Sequence, residues 1–383
     1  ALRAALGVEA AQQRRSFEAQ LDRLRRDLES FASQPPISQA AYWSGLALIR
    51  PEFSLQELLE ATKRLRLEDV SSFAVELWDS CRRSSRNAPS ASLCWGNLRE
   101  DEGESLVRRI RDILGVRLRE EVKEAPAPRI AQVPVRPQGP GVVLVHEVMD
   151  GTEENAAVEV IFQGGTTRGG APEALERLAE MQVLSSVMSD AFYEQLRTRE
   201  QLGYIVSCRA DRNEGVFSLV CVVQGAAKSA LEVLKRIDAF LDSVPDTLKA
   251  KSDAEIQSLA DSLAQARLAR PQQLLSAVER SWGEIRSQEF LWSRPLDEAL
   301  ALRKVRKAQV IEAFNRWVRP GGAERRRLCS LVLRGAEAAA RQLEGEGAEA
   351  GAARKGDERK GGAGHFCLLE AFHGEMVHFC DGF

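Results

Sequence analysis

Residues 196–206 read LRTREQLGYIV, and they join a predicted helix to a predicted strand. The helix ends near Arg199, and the strand begins at Gly203. Arg197 and Tyr204 lie seven residues apart on the two sides of this joint. An Arg at a helix end can simply complement the helix dipole, and a strand Tyr can belong to a core. The joint also lets both side chains point to one side, where a pair of donors could bind a peptide carbonyl.

Strands and helices alternate around this joint. The runs Val142–Val148 and Ala157–Phe162 are rich in β-branched residues, and Arg327–Leu333 closes the pattern. Gly203–Cys208 and Val216–Val223 flank a turn and predict a hairpin. The order β-β-α-β-β-α-α predicts an α+β fold, in which a mainly antiparallel sheet is covered by helices on one side.

The rest of the chain divides by composition into further segments. Residues 1–120 show apolar helical spacing, and Ser54-Leu55-Gln56-Glu57 is a capping-box pattern that predicts a helix start. Residues 121–141 contain five prolines and predict an extended linker, because proline fits neither a helix nor a central strand. The second domain spans residues 142–333, and residues 334–383 form a low-complexity tail that we expect to be disordered.

The charge balance excludes several classes of partner. The 383 residues include 53 Lys or Arg and 56 Asp or Glu, so the net charge is −3. This balance gives no general attraction to nucleic acid, and no apolar run is long enough for a membrane span. Seven cysteines make an odd number, which favours free thiols in a reducing compartment and hence a cytoplasmic location.

Histidine is scarce, which limits metal chemistry. The chain has His146, His365, His373 and His378, and neither H-E-x-x-H nor H-x-x-E-H occurs. We interpret His146 as a surface or edge-strand residue without a second His nearby. The tail repeats H-F-C at residues 365–367 and 378–380, so zinc binding through Cys367, Cys380 and a nearby His stays an alternative.

Several stretches of the chain resemble one peptidase family. LRTREQLGYIV resembles a motif of the insulysin, nardilysin and pitrilysin family of zinc metallopeptidases, the inverzincins. Residues 16–36 and 53–73 resemble successive segments of the third module of that family, and residues 270–290 and 302–318 resemble the later part of the fourth. The resemblance runs in order from about residue 14 to residue 333.

The resemblance implies a particular architecture. Family members have four similar α+β modules, in two halves that close around a chamber holding a peptide. Each module has the fold of the mitochondrial processing peptidases. The zinc motif belongs to the first half, and this chain resembles the second half with the front of its third module missing. The resemblance therefore implies zinc in the full-length enzyme, with metal ligands outside this chain.

The resemblance also implies a function. Arg197 and Tyr204 match the family residues that reach the substrate near the zinc, so they are implied to be auxiliary catalytic residues. We expect peptide substrates, an N-terminal zinc-binding half in the same or a separate chain, and no hydrolysis by this chain alone. A homo-oligomer is compatible with this interpretation. The alternative is a catalytically inactive family member that acts as a peptide-binding or structural subunit.

Overall fold

The computed structural model describes residues 10–83, 93–114, 129–335 and 367–368, and these group into two compact units. The first unit comprises residues 10–31, 51–83, 93–114 and 270–290, and the second comprises residues 32–50, 129–269, 291–335 and 367–368. Segments that are distant in the chain thus share a unit. The predicted module limits at residues 120 and 142 stay a prediction.

The first unit is helical throughout its described regular structure. Its helices are α1 (Ala10–Glu29), α3 (Leu55–Arg64), α4 (Leu67–Arg83), α5 (Glu100–Leu114) and α9 (Leu274–Arg286). The predicted capping box is confirmed, because the Ser54 hydroxyl accepts from the Glu57 N–H and the Glu57 carboxylate accepts from the Ser54 N–H.

The second unit is built on a six-stranded sheet in the order β5-β6-β4-β7-β3-β8. Neighbouring strands are antiparallel except for β3 and β7, which are parallel. The α+β prediction of a mainly antiparallel sheet is therefore confirmed. The strands are β3 (Val142–Glu147), β4 (Ala156–Thr166), β5 (Ile205–Asn213), β6 (Val216–Gly225), β7 (Arg327–Leu333) and β8 (Cys367–Leu368).

One face of this sheet carries the main core. Alternate strand residues such as Val160, Phe162, Phe217 and Leu219 point to this face and are buried. The helices that contribute to this core are α6 (Pro172–Tyr193), α7 (Ala230–Ala250), α8 (Asp253–Leu268), α10 (Arg294–Lys304) and α11 (Lys307–Trp317). The apolar stripes of these helices exclude water from the face without directional bonds.

The opposite face is covered by a segment far away in the sequence. Helix α2 (Pro36–Leu48) packs on β4 and β7, and a short ribbon pairs β1 (Ile49–Arg50) with β2 (Arg129–Ile130). The sequence predicted helices on one side only, which is wrong for this unit. The reason is that the order of elements within residues 142–333 contains no information about a helix contributed by residues 36–48.

The predicted proline-rich linker is described only from residue 129 onward, and residues 121–128 lie outside the described residues. The described part is extended, but it is held against the sheet. The Val133 N–H donates to Gln163 Oε1 (2.7 Å), and Gln163 Nε2 donates to the Ala131 carbonyl (3.0 Å). Val133 is buried as a result. The buried Gln163 on β4 thus anchors a segment that the composition alone predicts to be an extended linker.

The predicted hairpin between β5 and β6 forms with a two-residue turn. Glu214 and Gly215 have φ values of 45° and 80°, and Asn213 pairs with Val216. Positive φ at both turn residues is the geometry that matches the twist of a tight hairpin. Of the predicted tail, residues 336–366 and 369–383 lie outside the described residues, and the backbones of Cys367 and Leu368 pair with β3.

Candidate functional site

The joint between α6 and β5 contains an uncommon backbone conformation. Glu194–Arg199 continue α6 as a π-helix, a form that is rare and frequent at functional sites. Leu196 anchors this turn in the core, where it is fully buried. The Glu200 N–H then donates to the Gln195 carbonyl (2.9 Å), and the Leu202 N–H donates to the Leu196 carbonyl (2.9 Å). These bonds fold residues 197–202 into a compact loop, which connects Arg197 on the π-helix to Tyr204 at the start of β5.

Glycine at position 203 is required by a close backbone approach. A Cβ atom added to Gly203 would lie 2.0 Å from the Gln224 carbonyl oxygen, and one added to Gly225 would lie 2.4 Å from the Gly203 Cα. Two residues earlier, Gln201 has a φ of 54° and turns the chain sharply. The chain therefore leaves the helix and enters β5 in tight contact with the end of β6, and this contact fixes the position of Tyr204.

Tyr204 is held through its hydroxyl. The side chain is 56% exposed, and its Oη accepts a hydrogen bond from Gln224 Nε2. The Gln224 side chain is itself fixed, because its Oε1 accepts from the Ile37 N–H (2.7 Å). This contact shows which atom of the Gln224 amide is the oxygen, so the amide NH₂ group must face Tyr204. Within the part of the chain that the structure describes, the Tyr204 hydroxyl hydrogen has no acceptor, so it can be donated to a ligand.

Arg197 differs from the charged residues beside it. Arg199 pairs with Glu194 (3.3 Å), and Glu200 accepts two bonds from Arg236 (2.6 and 2.7 Å). The bonds from Arg236 lower the pKa of Glu200. Arg197 is half-buried and makes no hydrogen bond or ion pair with any of the described residues. Its guanidinium is thus the charge at this joint that is not already neutralised by a neighbour.

An open pocket adjoins the joint. It is lined by Asp190 and Tyr193 of α6, Glu194 and Thr198 of the π-helix, and Val206 and Ser207 of β5. Neither Arg197 nor Tyr204 lines this pocket. Most of its lining residues are polar in type, but the surface that they expose to the pocket is more apolar than polar. The pocket gives the exposed side of the joint a concave surface.

Gln224 was missed by the sequence reasoning, although a signal for it exists. It is a fully buried polar residue at the end of the apolar run VFSLVCVVQG. A buried amide normally has hydrogen-bond partners, so a glutamine in such a run indicates a specific contact. Its partners come from residue 37 and residue 204, and no spacing rule relates positions that far apart.

His146 is placed differently from its prediction. The interpretation as a surface or edge-strand residue is wrong, because its side chain is buried on β3 and stacks on Trp43 of α2. The ring centroids are 4.1 Å apart and the planes differ by 7°. Burial lowers the pKa of His146 to about 4. The cause is again the covering helix from residues 36–48.

In the described ranges, no group of three or more His, Cys, Asp and Glu side chains could hold a metal ion. His365, His373, His378 and Cys380 lie outside those ranges, so the alternative of a tail zinc site stays a prediction. No helix in the described residues has the length and apolar character needed to cross a membrane.

Comparison with known proteins identifies the family. A family model described as the C-terminal lobe domain 4 of PQQ synthase PqqF-like proteins matches residues 183–282, which include the joint. A nardilysin-like protein of Arabidopsis thaliana is 25% identical over 324 residues, covering 83% of this chain and 30% of the relative. The peroxisomal insulin-degrading enzyme-like 1 of the same plant is 24% identical over 339 residues, covering 83% and 32%.

The fold comparison agrees with these sequence matches. A crystal structure of pitrilysin superposes with a TM-score of 0.65 at 18% identity, covering 84% of this chain and 32% of that one. The chain therefore belongs to the insulysin, nardilysin and pitrilysin family of metallopeptidases. It spans about a third of the length of the relatives that it matches.

Proposed function

We propose that this chain acts as the C-terminal, non-zinc half of an insulysin-like metalloendopeptidase, in which it binds peptide substrate and contributes Arg197 and Tyr204 to hydrolysis. The observation that carries the proposal is the family motif at the π-helix joint. There Arg197 has no charge partner among the described residues and Tyr204 is held by Gln224. The family membership supports a peptide as the substrate class.

The chemistry proposed for this pair is stabilisation of negative charge. When a peptide carbonyl is attacked, its oxygen becomes an oxyanion, and donors already aimed at that position lower the barrier. The Tyr204 hydroxyl would donate one hydrogen bond, and the Arg197 guanidinium would donate a charge-assisted one. Zinc, with ligands assigned by the resemblance to the N-terminal half, would supply the Lewis acid for the attack. The role of this chain is to bind and orient the peptide.

The experiment uses the enzyme assembled with its zinc-binding half, in one chain or in two, and a quenched fluorogenic peptide. Arg197→Ala and Tyr204→Phe are each expected to lower kcat/KM by about 10²–10³, because each removes one donor to the oxyanion. Arg197→Lys keeps the positive charge but loses the planar guanidinium group, so it should be more active than Arg197→Ala and less active than the wild type.

Matched controls are available within the same turn and helix. Arg199→Ala removes a charge that is already paired with Glu194, and Tyr193→Phe removes an exposed hydroxyl one helical turn earlier. Both should leave kcat/KM within a few-fold of the wild type. If Arg197→Ala turned over substrate as fast as Arg199→Ala, Arg197 would be removed from the site. The binding or structural subunit would then become the better interpretation.

A second measurement tests the division of labour between the halves. The purified chain with added zinc should not hydrolyse the peptide. Robust hydrolysis by this chain alone, abolished by a chelator, would overturn the proposal. The sequence encoded upstream of Ala1 is the most informative further observation, because an H-x-x-E-H motif there would supply the zinc-binding half.

A further inference from the structure

Two cysteine thiols face each other across the outer hairpin of the sheet. Cys208 on β5 is directly opposite Cys221 on β6, and their Sγ atoms are 3.5 Å apart. Both thiols are free and buried, with exposed fractions of 2% and 0%. The Cys221 S–H donates to the Cys208 sulfur. This pair lies outside the proposed peptidase site and has no role in it.

The register of the hairpin shows that the backbone can accept a bond between them. Asn213 and Val216 flank the two-residue turn and therefore form a hydrogen-bonded pair, after which the two kinds of pair alternate along the ladder. Cys208 lies five residues before Asn213, so Cys208 and Cys221 form a non-hydrogen-bonded pair. Such pairs have Cα atoms about 4.5 Å apart, within the range of about 4.4–6.8 Å found for disulfides. Closing the gap to a bond of about 2.05 Å requires only small χ1 rotations.

We propose that Cys208 and Cys221 are a thiol–disulfide pair, which a small-molecule disulfide such as glutathione disulfide oxidises to a cross-strand bond. One thiol loses its proton and its thiolate attacks the glutathione disulfide, which releases one glutathione and leaves a mixed disulfide. The second protein thiolate attacks the protein sulfur of that mixed disulfide and releases the second glutathione. The two protons lost by the protein thiols pass to the two released glutathione thiolates, so two protein thiols are oxidised and one glutathione disulfide is reduced to two glutathione thiols.

The environment of the pair determines when this reaction proceeds. The adjacent Cys221 thiol and burial both raise the pKa of Cys208, so little thiolate exists while the hairpin is closed. Strand β5 is, however, the outermost strand of the described sheet, and it can separate from β6 without disturbing another strand. Oxidation should therefore be fast during folding and slow in the folded chain.

The disulfide would act on the strand that follows Tyr204. Cys208 is four residues beyond Tyr204, and Cys221 is three residues before Gln224. A covalent link at this point keeps the start of β5 beside the end of β6. It therefore restrains fraying of the edge strand in oxidising conditions. This inference does not depend on the peptidase proposal, since it concerns only the hairpin.

The test is to refold the full chain from urea with either glutathione or glutathione disulfide. The folded fraction is isolated by gel filtration and then unfolded in urea with an alkylating reagent, so that buried free thiols also react. It is digested with trypsin without reduction. Cleavage after Arg209 and Arg212 separates the two cysteines into the peptides Glu200–Arg209 and Asn213–Lys228. The pair linked by a disulfide should increase about tenfold with glutathione disulfide and should separate on reduction.

Controls are built into the same digest. Exposed Cys94 should take up glutathione, which shows that the oxidant acted, and buried Cys329 should stay alkylatable because no thiol pairs with it in the described residues. Cys208→Ala should abolish the linked peptides while the chain still folds. The proposal is overturned if both cysteines of the folded chain remain alkylated while Cys94 carries glutathione. It is also overturned if the linked peptides occur only in misfolded material.

Discussion

The two faces of the six-stranded sheet are covered by different kinds of contact. On one face, helices α6, α7, α8, α10 and α11 bury apolar side chains in a continuous core. On the other face, α2 and residues 129–133 meet buried polar groups, including Glu159, Gln163, Gln224 and His146. Each of these polar groups has a particular partner. The stability of the second face therefore depends on how α2 and residues 129–133 are aligned with the sheet, whereas that of the first face depends on filling its volume with apolar side chains.

The polar contacts of the second face position the candidate site. The Glu159 carboxylate accepts from the Ser44 hydroxyl (2.7 Å), and the Ser330 hydroxyl donates to the Ala40 carbonyl (3.1 Å). These bonds seat α2 at one position on the sheet, and the Ile37 N–H then orients Gln224 beneath Tyr204. A displaced apolar helix could find another arrangement, whereas a displaced α2 would leave buried polar groups without partners.

The largest stability effect is expected on the apolar face. Phe162 is fully buried on β4, and Phe162→Ala should lower the free energy of unfolding by about 3–5 kcal/mol, because the cavity cannot fully collapse. Urea denaturation measures the change. Ile161→Val, one residue along on the opposite face, is the matched control and should cost about 0.5–1.5 kcal/mol. A loss for Phe162→Ala no larger than that for Ile161→Val would show that the stability of the first face does not depend on its filled volume.

The next largest effect is a pH dependence of the free energy of unfolding, which is caused by His146. Burial lowers its pKa from 6.5 to about 4, so the unfolded chain takes up a proton at pH values where the folded chain does not. The stability from neutral His146 is therefore complete above about pH 6.5 and is lost as pH falls toward 4, by about 3 kcal/mol. His146→Phe retains a ring for stacking on Trp43 and should remove this part of the pH dependence. Parallel curves for both proteins between pH 6.5 and 4 would contradict the assignment.

A smaller loss is expected from Ser44. Ser44→Ala leaves the buried Glu159 carboxylate without that donor and should cost about 1–3 kcal/mol at neutral pH. Burial raises the pKa of Glu159, so the folded chain binds a proton more readily than the unfolded chain, and stability falls as pH rises above the ordinary glutamate pKa. Glu159→Gln removes that slope. Unfolding measured at several pH values in a double-mutant cycle would show additive losses if the two residues did not interact.

The smallest effect on stability is expected at Arg209, where α2 does not cover the second face of the sheet. Arg209 on the edge strand β5 points to this same face but is exposed, and its side chain makes a long contact with Ser207 Oγ (3.4 Å). Arg209→Ala should change the free energy of unfolding by no more than about 0.5 kcal/mol. A loss as large as that of Ser44→Ala would show that the polar character of the face, and not burial by α2, determines the cost.

Much of the fold was predictable from local patterns. The capping box at Ser54 and the β5–β6 hairpin both form, because each depends on residues within a few positions of one another. The sequence also identified the joint at residues 196–206 as the informative stretch. The wrong predictions share one cause, since both the one-sided cover and the exposed His146 were contradicted by α2. No periodicity within residues 142–333 indicates a helix that arrives from residues 36–48.

The candidate site divides in the same way. Local patterns were enough to predict the class of fold, the family and the residue types at the joint, because alternation, capping and motif spacing are local properties of a chain. The tertiary structure alone decided that Arg199 and Glu200 are paired while Arg197 has no partner among the described residues. It also decided that Gln224 holds Tyr204. These facts depend on side chains such as Arg236, Gln224 and Ile37, which come close only when the sheet and its two covering layers have assembled.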